Sequence, residues 1–165
     1  MLVMAKECTC RCTSPDVLKK VAEIAAPWKG REDMLIEVLQ QAQKAAGNFI
    51  PEDVISVIAK EMGIPKAKVY TVVSFYAFFT TEPRGKYIIR MCKSAPCHVK
   101  GAKETLAAFE KALGLKVGET TPDGKFTLET CECLGICDKA PAVMINDEVY
   151  GPILPGDVAD LLAKF

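Results

Sequence analysis

Along the first half of the chain the apolar residues recur at helical spacing, and along the second half the period shortens. The stretch "TSPDVLKKVAEIAA" opens a helix, with Ser14 as its N-cap and Pro15 at the first helical position. "REDMLIEVLQQAQKAAG" places Met34, Leu35, Val38, Leu39, Ala42 and Ala45 on one helical stripe and stops at Gly47. "PEDVISVIAKEMG" begins with Pro51 and two acids and closes on Gly63, which marks another short amphipathic helix. "PKAKVYTVVSFYAFF" is rich in β-branched and aromatic residues, yet its Pro65 start and its length favour a buried helix.

After "TTEPRGK" the pattern changes. "KYIIRMC" is a short apolar strand that ends at Cys92, and "GAKETLAAFEKALG" is a helix with Leu106, Phe109 and Leu113 on one face. "GKFTLETCEC" alternates as a strand with Phe126 and Leu128 on one side, and "AVMIND" with "EVYG" forms a hairpin turning at Asn146 and Asp147. "PGDVADLLAKF" closes the chain as a helix. The expected order is four helices followed by β-α-β-β-α. Residues 1–13 show no periodic pattern and are expected to be a cysteine-containing tail, with a helical segment over residues 14–83 and an α/β domain over 84–165.

The 165 residues are 50% apolar and 25% charged, which is the composition of a folded chain. Formal net charge is zero, which argues against a general nucleic-acid or membrane-surface binder. The longest mostly apolar run, Val69 to Phe79, falls well short of the roughly 20 residues a membrane span needs. The start, "MLVMAKEC", has too short an apolar stretch for a signal peptide, so a cytoplasmic location is expected. Eight cysteines in that setting are more readily metal ligands than disulfide partners.

Those cysteines cluster. "MCKSAPCHVKG" holds Cys92 and Cys97, and "ETCECLGICDKAP" holds Cys131, Cys133 and Cys137. Cys92 and Cys133 each follow the end of a strand and begin a loop with a second cysteine, so neighbouring strands would bring four thiolates together. Two pairs of thiolates suit a [2Fe–2S] cluster. Pairs at such spacing also suit one tetrahedral zinc, and a redox disulfide usually takes the tighter C-x-x-C, which occurs nowhere in the chain. Spacing alone leaves these occupants open.

The remaining features add less. His98 is the only histidine and reads as a surface residue, since a Rieske-type iron needs two. "CTCRC", with Cys8, Cys10 and Cys12, falls one thiolate short of a four-cysteine site. Phe75, Tyr76, Phe78 and Phe79 offer either a partner-binding face or core packing. No G-x-G-x-x-G and no P-loop is present, so nicotinamide and flavin nucleotides have no recognisable site in the chain.

"CKSAPCHVKGA" followed by "FTLETCECLGICDKAPAVMIND" resembles the thioredoxin-like [2Fe–2S] ferredoxins, the small iron–sulfur subunits of respiratory NADH:quinone oxidoreductase (complex I) and of NAD-linked hydrogenases and formate dehydrogenases. The most specific element is Glu132, Cys133, Leu134, Gly135, Cys137, Ala140 and Pro141. The resemblance runs from about Met34 to the C-terminus. It implies a thioredoxin-like [2Fe–2S] domain preceded by a helical segment, with Cys92, Cys97, Cys133 and Cys137 as cluster ligands and Cys131 as a spare core residue. It also implies a one-electron carrier beside a flavin-containing subunit that binds NADH and FMN, among further iron–sulfur subunits. The cysteine tail lies outside the resemblance and tilts the reading toward a hydrogenase assembly. A zinc-stabilised interaction module and a thiol-disulfide oxidoreductase are the competing classes, and alone the chain is not expected to oxidise NADH.

Overall fold

The computed structural model describes residues 13–165, so Cys8, Cys10 and Cys12 lie outside the described residues. The chain divides into two compact units between Pro83 and Arg84.

The first unit is helical: α1 Pro15–Ala25, α2 Leu35–Ala45, α3 Glu52–Met62 and α4 Lys66–Phe75. Pro15 starts α1 because its missing N–H falls where a helix has no partner to offer. Ser14 stands at the N-cap position without a side-chain capping bond; its carbonyl instead accepts from the Val17 and Leu18 N–H groups. Thr13 anchors this entry by donating from both its N–H and its hydroxyl to the Asp53 carboxylate, at 3.0 and 2.9 Å. Val21, Val38, Leu39, Val54, Ile58 and Met62 are fully buried in one core; of the predicted stripe, Leu35, Val38, Leu39 and Ala42 are buried, while Met34 and Ala45 are half-buried.

The fourth segment departs from the buried helix expected of it. Only Val69 and Val73 of α4 are buried, while Tyr70 and Phe75 face solvent. At Tyr76 the backbone becomes extended and the helix ends. The physical reason lies just beyond: Phe79 buries itself in the core and the Thr80 carbonyl accepts the Ile50 N–H at 2.7 Å. Both contacts pull the chain off the helical path. No helix among the described residues is long and apolar enough to cross a membrane.

The second unit contains a four-stranded sheet in the order β2-β1-β3-β4. β1 (Tyr87–Cys92) pairs in parallel with β2 (Phe126–Cys131) and antiparallel with β3 (Val143–Ile145), which pairs antiparallel with β4 (Glu148–Tyr150). Helices α5 (Ala95–Val99) and α6 (Ala102–Leu113) connect β1 to β2, and α7 (Val158–Leu162) follows β4. One face of the sheet, bearing Ile89, Met91, Leu128, Val143 and Ile145, packs into a core with Phe109 of α6 and Val158 and Leu161 of α7. Residues at odd and even positions of a strand point to opposite faces, so Ile88, Arg90, Thr127 and Glu129 share the other face.

Asn146 makes the β3–β4 hairpin. Its φ is +55°, a left-handed conformation that Asn tolerates better than most residues. Its side chain also clasps β1, accepting the Ile88 N–H at 2.9 Å and donating to the Lys86 carbonyl at 3.3 Å. Asn146→Gly keeps the turn and loses the clasp, whereas Asn146→Ala loses both. Urea unfolding is therefore expected to show a loss of about 1–2 kcal/mol for the glycine variant and about 1 kcal/mol more for the alanine variant. Equal losses would mean that the turn conformation contributes nothing.

Candidate metal centre

Four thiols gather at the carboxyl end of β1 and β2. Cys92 is the last residue of β1, and its N–H donates to the Ala142 carbonyl at 3.1 Å. The chain then turns through Lys93, whose N–H reaches the Cys131 carbonyl at 3.0 Å, into the short helix α5 that carries Cys97. On the other side β2 ends at Cys131, directly opposite Cys92, and the loop beyond it holds Cys133 and leads to a 3-10 turn starting at Cys137. Cys92 and Cys97 are buried, and Cys133 and Cys137 are exposed.

The second pair is close, with Sγ atoms 3.5 Å apart, and the Gly135 N–H points to the Cys133 sulfur at 3.4 Å. Gly135 has φ of +83°, a conformation that costs other residues strain, so the type of residue that bends this loop is constrained. Burial alone pushes the Cys92 thiol up, but the Ser94 N–H, the Cys97 thiol and the Leu134 N–H outweigh it and hold Cys92 below its ordinary value. The Leu134 contact joins the two loops. Burial pushes the Cys97 thiol up; the Ala142 N–H opposes this, and the neighbouring Cys92 and Cys137 add to it. Contact with Cys133 raises Cys137, and burial adds to that.

Cys131 stands apart. It is partly buried against the core of the second unit, and burial, with help from nearby Cys92 and against Arg90, pushes its thiol up to about 11. Among the described residues no three Cys, His, Asp or Glu side chains close around one point as the ligands of a single ion do. The thiols come as two pairs, one from each loop, with backbone N–H groups directed at sulfur. That donor set fits a two-iron cluster, which takes two thiolates per iron and tolerates such hydrogen bonds. His98 is exposed on α5 beside Lys93 and Lys103, over a small cleft of about 150 Å³.

The model of one protein family, the thioredoxin-like [2Fe-2S] ferredoxins, matches residues 19–165. The chain belongs to that family. It is 41% identical over 147 residues to the NADP-reducing hydrogenase subunit HndA of Solidesulfovibrio fructosivorans, covering 89% of this chain and 85% of that one. It is 42% identical over 130 residues to a subunit of the NADH-quinone oxidoreductase of Pseudomonas aeruginosa, covering 79% and 78%. An NAD+-reducing [NiFe]-hydrogenase in the air-oxidized state superposes with a TM-score of 0.70 over 87% of this chain at 21% identity, which establishes the shared fold; the match spans 23% of that chain. The cofactor of the family is a [2Fe–2S] cluster, and these relatives are subunits of larger oxidoreductases.

Three features of the ferredoxin site escape periodicity and motif spacing. The helix α5 had a signal, because Ser94 with Pro96 is a helix start, but five residues are too few to show a period. Arg84, Arg90 and Glu129 form an ion-paired group on the sheet face that also carries Cys92 and Cys131. Gly151 packs so tightly on the 3-10 turn that a Cβ would overlap the Lys139 carbonyl oxygen, and only tertiary structure reveals this.

Two outcomes test this geometry. In cluster-free protein at pH 8, iodoacetamide is expected to label the exposed Cys133 and Cys137 and to spare Cys131. With a thiol at about 11, only about one Cys131 in a thousand is thiolate at that pH. Its labelling should rise about tenfold per pH unit until the thiol titrates, as read by peptide mass mapping. Gly151→Ala displaces the Lys139 backbone two residues from Cys137 and is expected to reduce cluster occupancy, measured as bound iron, while Gly156→Ala, where a Cβ meets nothing within 4 Å, leaves it unchanged.

Proposed function

We propose that Cys92, Cys97, Cys133 and Cys137 hold one [2Fe–2S] cluster and that the chain passes single electrons beside a flavin-containing subunit that oxidises a reduced nicotinamide cofactor. The assembly is an NAD(P)-linked hydrogenase or an NADH:quinone oxidoreductase working in the cytoplasm, with further iron–sulfur subunits. The observation that carries the reading is the juxtaposition of two thiol pairs at one sheet edge while the fifth thiol, Cys131, is kept protonated in the core margin. Names of the hydrogenase and quinone-oxidoreductase relatives support the assembly.

When bound, the cluster supplies a one-electron couple. The chain's own residues do the rest. Cys92 and Cys97 are withdrawn from water, which limits hydrolytic loss at that end. The N–H groups of Ser94, Leu134, Gly135 and Ala142 offer positive dipole to sulfur, which favours thiolate over thiol. Cys133 and Cys137 stay exposed, leaving one edge on which a partner can close. NAD and FMN belong to that partner, because no nucleotide motif occurs in this chain.

Protein purified without oxygen is expected to contain about two irons and two sulfides per chain and to give a rhombic EPR signal only after reduction. Ser in place of Cys92, Cys97, Cys133 or Cys137 should lower cluster content or alter the spectrum, and Cys131→Ser should not. Cluster loss on Cys131→Ser with none on Cys133→Ser would exchange these two in the ligand set. A colourless chain with one zinc and no sulfide, from cells able to build clusters, would replace the electron carrier with a structural module. NADH oxidation should require the flavin subunit.

A further inference from the structure

We propose that Cys133 and Cys137 form a redox gate on cluster loading: in the cluster-free chain a small-molecule disulfide oxidises them to one intramolecular disulfide, which keeps iron out until a thiol reduces it. This rests on the ligand set proposed above.

Geometry singles out this pair. Their Sγ atoms lie 3.5 Å apart, and a disulfide needs about 2.05 Å, so closure takes a shift of about 1.5 Å. One end is held and the other can move. Cys137 begins a 3-10 turn, where the Ala140 N–H donates to its carbonyl at 3.4 Å and the Lys139 N–H to the Ile136 carbonyl at 3.0 Å. Cys133 lies in the loop between β2 and that turn, outside any strand or helix, with Gly135 at φ +83° bending the chain between the two sulfurs.

Access separates the pair from the other described thiols. Cys133 and Cys137 are exposed, whereas Cys92 and Cys97 are only 1% and 2% exposed and Cys131 is partly buried against the core. Thiol–disulfide exchange needs an attacking sulfur that the incoming disulfide can reach. Among the described residues the loop pair meets that condition best.

The exchange balances in two steps. One cysteine loses its proton to solvent, and its sulfur attacks a sulfur of the small disulfide, forming a mixed disulfide and releasing one small thiolate. The second cysteine, deprotonated in turn, attacks the protein sulfur of that bond. The Cys133–Cys137 bond forms, the mixed bond breaks and a second small thiolate leaves. The pair gives up two electrons and two protons, and the small disulfide is reduced to two thiols. Neither sulfur then has a thiolate to offer a metal, because metal ligation requires the deprotonated, unbridged form.

The test mixes the loaded full chain with a chelator and about 0.1 mM glutathione disulfide, so the thiols meet the oxidant as iron leaves. A thiol held this close acts at an effective concentration of about 1 mM or more, so ring closure should exceed double glutathionylation by about tenfold. Differential alkylation with peptide mapping is expected to find Cys133 joined to Cys137 and Cys92, Cys97 and Cys131 free. Iron and sulfide added back should fail to load until dithiothreitol is supplied. Cys133→Ser should instead hold glutathione on Cys137, and Cys131→Ser should still close the disulfide. A disulfide through Cys92, Cys97 or Cys131, stable glutathione on both loop thiols, or an oxidised chain that loads as fully as the reduced one would overturn the proposal. A chain purified without oxygen that carries no iron and sulfide would instead defeat the ligand reading beneath it, so the two failures are distinct.

Discussion

Six register pairs hold β1 against β2, from Tyr87 opposite Phe126 to Cys92 opposite Cys131, and the centre depends on that parallel pairing. Parallel strands end at the same edge, so the loops that leave them start side by side although they lie some 40 residues apart in sequence. Neither loop could make the site alone. α6 supplies the required crossover and buries Phe109 beneath the strands, so the core that stabilises the second unit also sets where the thiols stand.

That placement solves an electrostatic difficulty. Thiolates drawn together repel one another, and burial further disfavours their charge, as the raised Cys97 and Cys137 thiols show. The opposing forces come from backbone geometry. Each loop turns so that N–H groups face sulfur: Ser94 and Leu134 toward Cys92, Ala142 toward Cys97, Gly135 toward Cys133. A fixed dipole of this kind needs no side chain and no titrating group.

Much of this was legible in the amino-acid order, and the limits have physical causes. The helices α1, α2 and α3 announce themselves because Pro15, Gly47 and Gly63 punctuate amphipathic stripes, and both signals are local. The hairpin at Asn146 is legible for the same reason. The end of α4 at Phe75 is not, because the competing attraction is Phe79 entering a core and Thr80 pairing with Ile50, thirty residues away. At the centre, the two cysteine loops and their family likeness bring out the candidate thiols, whereas Gly151 against Lys139 and Glu129 between two arginines arise only once distant segments meet. Local patterns report local energetics, and the parts of the site built by tertiary contact carry no local trace.

Five thiols at one edge pose a problem of choice that spacing cannot resolve, since Cys131 and Cys133 are near-equivalent in sequence. The sheet sets the two apart. By ending β2 at Cys131, the register spends that residue on the ladder, its carbonyl taken by the Lys93 N–H and its thiol settled against the core margin, where burial keeps it protonated. Cys133, two residues on, is past the last pairing and free to turn outward with Cys137. Strand length therefore acts as a selector. Extending β2 by two residues would place Cys133 in the ladder instead, so on the proposed ligand set the distinction between ligand and spare thiol is a property of where backbone hydrogen bonding stops.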